Sequence, residues 1–185
     1  MKIASWNVNS LRARLPRVCA WMDSNKPDVL CAQEIKAEEA SCPRTEIEGQ
    51  GYRVTLHGQK TYNGVAFFSR EEPRDVERGF PGDAADAQRR LIAATFGDVR
   101  VVNVYVPNGQ SVGSEKFAYK LDWMSKLREY LETRCDPAKP LLLCGDFNVA
   151  PEDRDVHDPA FWRGETLYHP DVVAALKRIT DWGLV

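Results

Sequence analysis

The sequence predicts an α/β fold, two stacked β-sheets with helices on the outside, in a single domain over residues 1–185. Three observations carry this reading. An apolar strand, an amphipathic helix and a second apolar strand follow one another at the start of the chain. Short runs rich in β-branched and aromatic residues fill its middle. A long amphipathic helix then leads into "LLLCGDFNVAP", one more hydrophobic run, near the C-terminal end.

Residues 2 to 8 read as the opening strand. Leu11, Leu15, Val18 and Met22 recur at spacings of three and four, which is one stripe of a helix, with Pro16 tolerable only near its first turn. Lys26-Pro27 stops that helix, and "DVLCAQE" (28–34) is the next strand. Two strands joined through a helix are most simply parallel and adjacent. "YRVTLH", "GVAFFSR", "RLIAATF" and "VRVVNVYV" are four further strands, and Gly97-Asp98 joins the last two as a hairpin turn. Residues 71 to 88, rich in Pro, Gly, Asp and Arg, read as a long loop. Residues 115 to 134 form a helix whose buried stripe is Phe117, Leu121, Met124, Leu127 and Leu131, and a third helix runs from about 170 to 182. Leu141 to Cys144 include no polar residue and read as a strand covered on both faces.

Composition narrows the class. With 43% hydrophobic and 28% charged residues, the chain is an ordinary globular one. No stretch approaches the roughly 20 apolar residues of a membrane span, and "MKIASWNV" enters a strand without a signal-peptide profile, so a cytoplasmic protein without membrane contact is expected. The five cysteines are widely spaced and lack a C-x-x-C pair, which argues against a disulfide framework and a zinc site. A net charge of −2 offers no general attraction to a polyanion, which must be held by a local basic surface.

Polar residues gather at strand ends. The first strand runs into Asn7 and Asn9, the second into Gln33 and Glu34, and the last into Asp146 and Asn148. Asn103 and Tyr105, two apart in an apolar run, share one strand face. If these strands are neighbours, their polar groups meet at the carboxyl edge of a sheet, a usual place for a ligand. Bland readings stand beside this one. An isolated Asp-x-Asn more often closes an Asx turn, a lone Glu34 serves as a solvated acid, and Tyr105 serves as a core tyrosine. No Ser-His or Cys-His arrangement can be assembled from His57, His157 and His169, which disfavours covalent catalysis. Hard oxygen ligands such as Glu34 with Asn side chains suit Mg²⁺ or Mn²⁺.

Taken together, "WNVNSLRARL", "QEIK", "GQKTYNGVAFFSR", "NVYVPNG" with "KFAYKLDW", and "LLLCGDFNVAPEDRDVHDP" resemble the exonuclease III family in order and spacing, along essentially the whole chain. That family comprises Mg²⁺-dependent DNA-repair nucleases of the endonuclease/exonuclease/phosphatase superfamily. The resemblance implies a four-layer α/β sandwich of two stacked mixed sheets flanked by helices. It also implies hydrolysis of double-stranded DNA at abasic sites and 3′ ends, with Mg²⁺ or Mn²⁺ as cofactor. Glu34 matches the family's metal-binding glutamate and Asn7 the asparagine beside it. Asp146 matches the aspartate that orients or activates water, while Tyr105 and Asn148 match residues that contact the scissile phosphate. Arg12, Arg90 and Lys116 are the candidates for holding DNA, with solvated surface charge as their bland alternative.

The family continues past "DWGLV" with a further aspartate, more strands, a Trp-containing loop and a closing Asp-His pair, whereas this sequence stops at Val185. The resemblance therefore implies a domain incomplete at its C-terminus, little cleavage by residues 1–185 alone, and an open sheet edge that invites association. The rival class is a non-catalytic nucleic-acid-binding or regulatory relative with the same fold. Glu34, Asp146 and Asn148 together disfavour it, since carboxylates repel phosphates when no cation intervenes.

Overall fold

The computed structural model describes residues 1–85 and 87–185. Among the described residues, eight strands form two four-stranded mixed sheets. In the first, the order is β1 (Ile3–Asn7), β2 (Val29–Gln33), β4 (Val65–Ser69) and β3 (Arg53–His57). In the second it is β5 (Arg74–Arg78), β6 (Leu91–Phe96), β7 (Val99–Tyr105) and β8 (Leu141–Asp146). β1 and β2 are parallel neighbours, as the strand-helix-strand pattern predicts, and the β6–β7 hairpin closes with Phe96 opposite Val99. β7 and β8 are the second parallel pair.

Residues alternate between two cores, as the two-residue period of a strand requires. Val29, Cys31, Val65 and Phe67 of the first sheet meet Ile92, Ala94, Phe96 and Val101 of the second in one apolar layer. The opposite face of the first sheet, including Leu30, Ala32, Ala66 and Phe68, packs on α1 (Leu11–Asn25) through Leu11, Val18 and Met22. Ser10 caps α1, its Oγ accepting from Ala13 N at 3.4 Å. Pro16 lies in the second turn of α1 rather than the first, so the expectation for its position is corrected. Its ring removes one internal donor, and the flanking stripe residues still hold the helix on the sheet.

Two other sequence expectations are overturned. The segment 71–88, expected as loop, contains β5, an edge strand that pairs with β6 through a register shift between Arg74 and Glu77. Its "RDVER" is too charged to carry an apolar alternation, and only pairing with β6 makes it a strand. β8, expected to be covered on both faces, is the last strand of its sheet, and all six residues are partly exposed. Apolar sequence registers a demand for burial and carries no record of strand order.

The chain divides into two compact units, Met1–Tyr105 with Pro140–Asp146, and Val106–Lys139 with Phe147–Val185. Both sheets, α1 and the short α2 (Arg44–Glu48) belong to the first. The second holds α3 (Glu115–Arg134), α4 (Pro159–Trp162) and α5 (Pro170–Thr180), with α3 packed on α5. No helix among the described residues is long and apolar enough to cross a membrane.

Candidate active site

Asn7 ends β1, Tyr105 ends β7, Asp146 ends β8, and Glu34 follows β2 directly. Register aligns Asn7 with Gln33 and Tyr105 with Asp146, so parallel pairing within each sheet brings these ends level. Asn7 is the hub. Its Oδ1 accepts from Asn9 N at 3.0 Å, which turns the amide NH₂ toward the acids. Nδ2 then donates to Glu34 Oε1 at 2.8 Å and to Asp146 Oδ2 at 2.7 Å. One amide thus ties a carboxylate of the first sheet to a carboxylate of the second.

Local backbone geometry presents both acids. Glu34 adopts φ +50°, a left-handed conformation costly for a residue with a Cβ, and its carbonyl accepts from Ser10 N at 2.7 Å. Gly145, before Asp146, has φ +138°, and a Cβ there would lie 2.0 Å from Val104 O. Only glycine lets β8 run this close to β7 at the position that delivers Asp146.

Tyr105 and Lys36 complete the surroundings of Glu34. Lys36 Nζ lies 3.0 Å from Glu34 Oε2 and donates to Asn9 Oδ1 at 2.6 Å. The Tyr105 hydroxyl neighbours the Glu34 carboxylate closely enough for each to shift the other's pKa. Arg90, only 9% exposed, lies over the Tyr105 ring at 4.5 Å, and donates from Nη1 to Tyr105 O at 3.1 Å and from Nε to Gln88 Oε1 at 2.6 Å. Burial works to raise the pKa of Glu34, but hydrogen bonds from Asn7, Lys36 and Tyr105 outweigh it and hold the carboxyl below its ordinary value. Burial, then the charge of Glu34 and its hydrogen bond, push Tyr105 up to about 12 against the opposing pull of Arg90. At neutral pH Glu34 is a carboxylate and Tyr105 a protonated donor.

The remaining sequence candidates are distributed differently. Asn148 belongs to the second unit, where it adopts φ +49° and donates from Nδ2 to Val106 O at 2.9 Å. Arg12 is exposed on α1 of the first unit, and Lys116 is exposed on α3 of the second. Arg90, by contrast, is engaged with Tyr105 instead of standing as a surface cation.

Sequence reasoning missed two groups. Lys120 is fully buried in the second unit, where Nζ donates to the carbonyls of Asn148 (2.6 Å), Thr166 (3.0 Å) and Asn108 (3.2 Å). The available signal was its place on the α3 stripe, three residues after Phe117 and four before Met124. Gln33 and Asn103, noted only as polar residues near strand ends, are buried and hydrogen-bonded to each other across the two sheets at 2.7 Å.

Two linked carboxylates with amide neighbours form a hard oxygen donor set that fits Mg²⁺ or Mn²⁺, ions that keep several waters and accept phosphate oxygens. Among the described residues, no group of three or more His, Cys, Asp or Glu side chains is arranged to hold a metal. Any ion at Glu34 and Asp146 therefore depends on water and substrate oxygens for the rest of its shell.

Comparison with known proteins gives the family of the chain. Exodeoxyribonuclease III of Haemophilus influenzae is 38% identical over the whole of this chain, which spans 73% of that relative. An AP endonuclease structure from Archaeoglobus fulgidus superposes with a TM-score of 0.94 at 42% identity, covering 98% of this chain and 70% of its own. A 3′ phosphatase from Neisseria, bound to a product DNA hairpin, gives 0.90 at 42% identity with coverages of 98% and 70%. Two mixed four-stranded sheets with flanking helices are thus the AP endonuclease fold. The model of the endonuclease/exonuclease/phosphatase family matches residues 4–183, and with these relatives it establishes that the chain belongs to that family as an exonuclease III-type AP endonuclease.

Proposed function

We propose that this chain carries the acid cluster of a Mg²⁺-dependent DNA-repair phosphodiesterase, acting on double-stranded DNA at abasic sites and 3′ ends. The observation that carries the reading is the Asn7 amide, which holds Glu34 and Asp146 together at 2.8 and 2.7 Å. Two adjacent carboxylates oppose a phosphate diester unless a cation intervenes, so the arrangement suits hydrolysis better than plain nucleic-acid binding. Glu34 and Asn7 are the proposed metal-side residues. A bound Mg²⁺ would supply charge stabilisation for the phosphoryl oxygens. Asp146 orients or deprotonates water, while Tyr105, kept protonated, turns its single O–H from Glu34 to the scissile phosphate, and Asn148 is separately proposed as a phosphate contact. Arg12, Lys116 and Arg90 are the proposed DNA-holding cations, with Arg90 acting through its stacking on Tyr105.

The chain spans 70–73% of the relatives named above, and by resemblance the family's chemistry also draws on a closing Asp-His pair. Loss of a general base or orienting group costs about 10²–10⁴-fold. Residues 1–185 alone are therefore expected to incise abasic-site DNA slowly, and a C-terminal segment supplied as a second chain is expected to restore cleavage. The apolar edge strand β8 is the proposed surface for that association. Incision of a duplex with one abasic site, with and without the added segment, tests the reading, with Asp146→Ala as contamination control. Incision that survives Asp146→Ala, or no incision in either arm, would overturn it.

A further inference from the structure

The geometry points to Gln33 and Asn103 as positioning residues, which carry the placement of Glu34 and Tyr105 from one sheet to the other. This rests on the functional reading of Glu34 given above. β7 reaches the segment before and at Glu34 from two successive inward-facing positions. At the first, Asn103 accepts from Gln33 Nε2 at 2.7 Å and donates from Nδ2 to the carbonyls of Ala32 and Ala66, each at 3.1 Å. At the second, two residues on, stands Tyr105, whose hydroxyl is near enough to the Glu34 carboxylate for that charge to raise its pKa. Gln33 is further tied to Cys31 O at 3.0 Å and Ser5 Oγ at 3.1 Å.

Burial makes this connection stiff. Gln33 and Asn103 are 1% and 0% exposed, so their amides have little access to water and their partners hold them in one arrangement. The clamp closes on Ala32 and Gln33, immediately before the left-handed turn at Glu34. A non-glycine residue at φ +50° persists only where its neighbours over-determine it. Asn103 supplies that constraint from the opposite sheet, and the same strand face delivers Tyr105. An apolar pair would fill this layer equally well, as Cys31, Phe67 and Val101 do around it. The amides add direction: they lock the height of the Glu34 turn relative to the end of β7.

The test separates packing from positioning. Gln33→Met with Asn103→Leu removes both side-chain amides together, so neither is left facing an empty place; the Cys31, Ala32 and Ala66 carbonyls and the Ser5 hydroxyl each lose one donor, and the melting temperature is expected to fall less than when either amide is removed alone. Mn²⁺ alone, followed by electron paramagnetic resonance of the free ion, is expected to bind this double variant about 10–100-fold more weakly, the usual cost of losing an outer support of a ligand. Hydrogen exchange gives a second measurement in the same double variant: the Ser10 amide, held by the Glu34 carbonyl, should lose protection while amides in the middle of α1 keep theirs. Native Mn²⁺ affinity in the double variant, or a uniform change in exchange, would reduce the pair to core packing and overturn the inference. Glu34→Gln is the control that tells the two failures apart. If it leaves Mn²⁺ binding intact, the functional reading falls and the inference with it; if it weakens binding while the double variant does not, the inference alone falls.

Discussion

Asn7 and Asp146 stand 139 positions apart in the chain, and their side chains meet at 2.7 Å. The contact exists because β1 and β8 end their respective sheets and bring their carboxyl termini together. The same Asn7 nitrogen reaches Glu34, so one neutral amide separates two acids that would otherwise face each other.

Replacing that amide should therefore expose the repulsion. Asn7→Ala is expected to lower stability by about 1–3 kcal/mol at neutral pH, the cost of leaving partly buried acceptors unpaired. Millimolar Mn²⁺ should stabilise the parent chain more than the variant, because Asn7 is proposed beside Glu34 at the metal. Thermal denaturation with and without Mn²⁺ measures both effects; an equal loss under both conditions would remove Asn7 as a metal-side residue.

Gly145→Ala should be far more damaging than its size suggests. The added Cβ would lie 2.0 Å from Val104 O at a backbone angle that side-chain-bearing residues rarely adopt. β8 must shift away from β7, at a cost of about 3 kcal/mol or more. Urea denaturation gives the figure, and a change below about 1 kcal/mol would show that the strand relaxes without strain.

His57 should make the protein acid-sensitive before its carboxylates titrate. Burial, then the positive charges of Arg89 and Arg78, push its pKa from 6.5 down to about 4, against the attraction of Asp83. Between those values the unfolded chain takes up a proton that the folded chain refuses, so stability falls as pH drops from about 6.5 to about 4 and levels off below. His57→Gln should flatten that part of the curve. Melting temperatures at matched ionic strength across this window are the check, and parallel curves for the two proteins would exclude His57 as the cause.

Exposed and buried cations should behave differently on DNA. Arg12 and Lys116 are exposed, and a cation that neutralises one phosphate adds about 1 to the slope of log affinity against log salt, so Arg12→Ala and Lys116→Ala should each reduce that slope by about 1. Arg90→Ala should instead disturb Tyr105, whose ring it covers, and change affinity with less effect on slope. Fluorescence anisotropy on an abasic-site duplex over a salt series distinguishes them; unchanged slopes for Arg12→Ala and Lys116→Ala would mark those residues as ordinary surface charge.

Local pattern was enough to identify most elements. The stripe Leu11, Val18 and Met22, the β-branched runs and the Gly97-Asp98 turn each depend on neighbours a few residues away, and α1, the central strands and the β6–β7 hairpin appear where these signals place them. β5 was not legible, because "RDVER" carries too little apolar alternation and becomes a strand only by pairing with β6. Lys120 was missed for a related reason. A lysine on a helix is ordinarily solvated, and nothing nearby in sequence announces the three carbonyls that receive it.

The sequence by itself determined which residues are candidates for the chemistry, since a carboxylate, an amide or a phenol at the end of an apolar run is a local fact. Tertiary structure alone decided how they are coupled. Asn7 holds both acids, Arg90 stacks on Tyr105, and Gln33 meets Asn103 across the sheets, through side-chain contacts that link positions 15 to 139 residues apart. The physical reason is range. Helix and strand signals repeat over two to four residues, whereas sheet order, strand register and the partners of a buried amide are settled only when distant segments compete for the same interior.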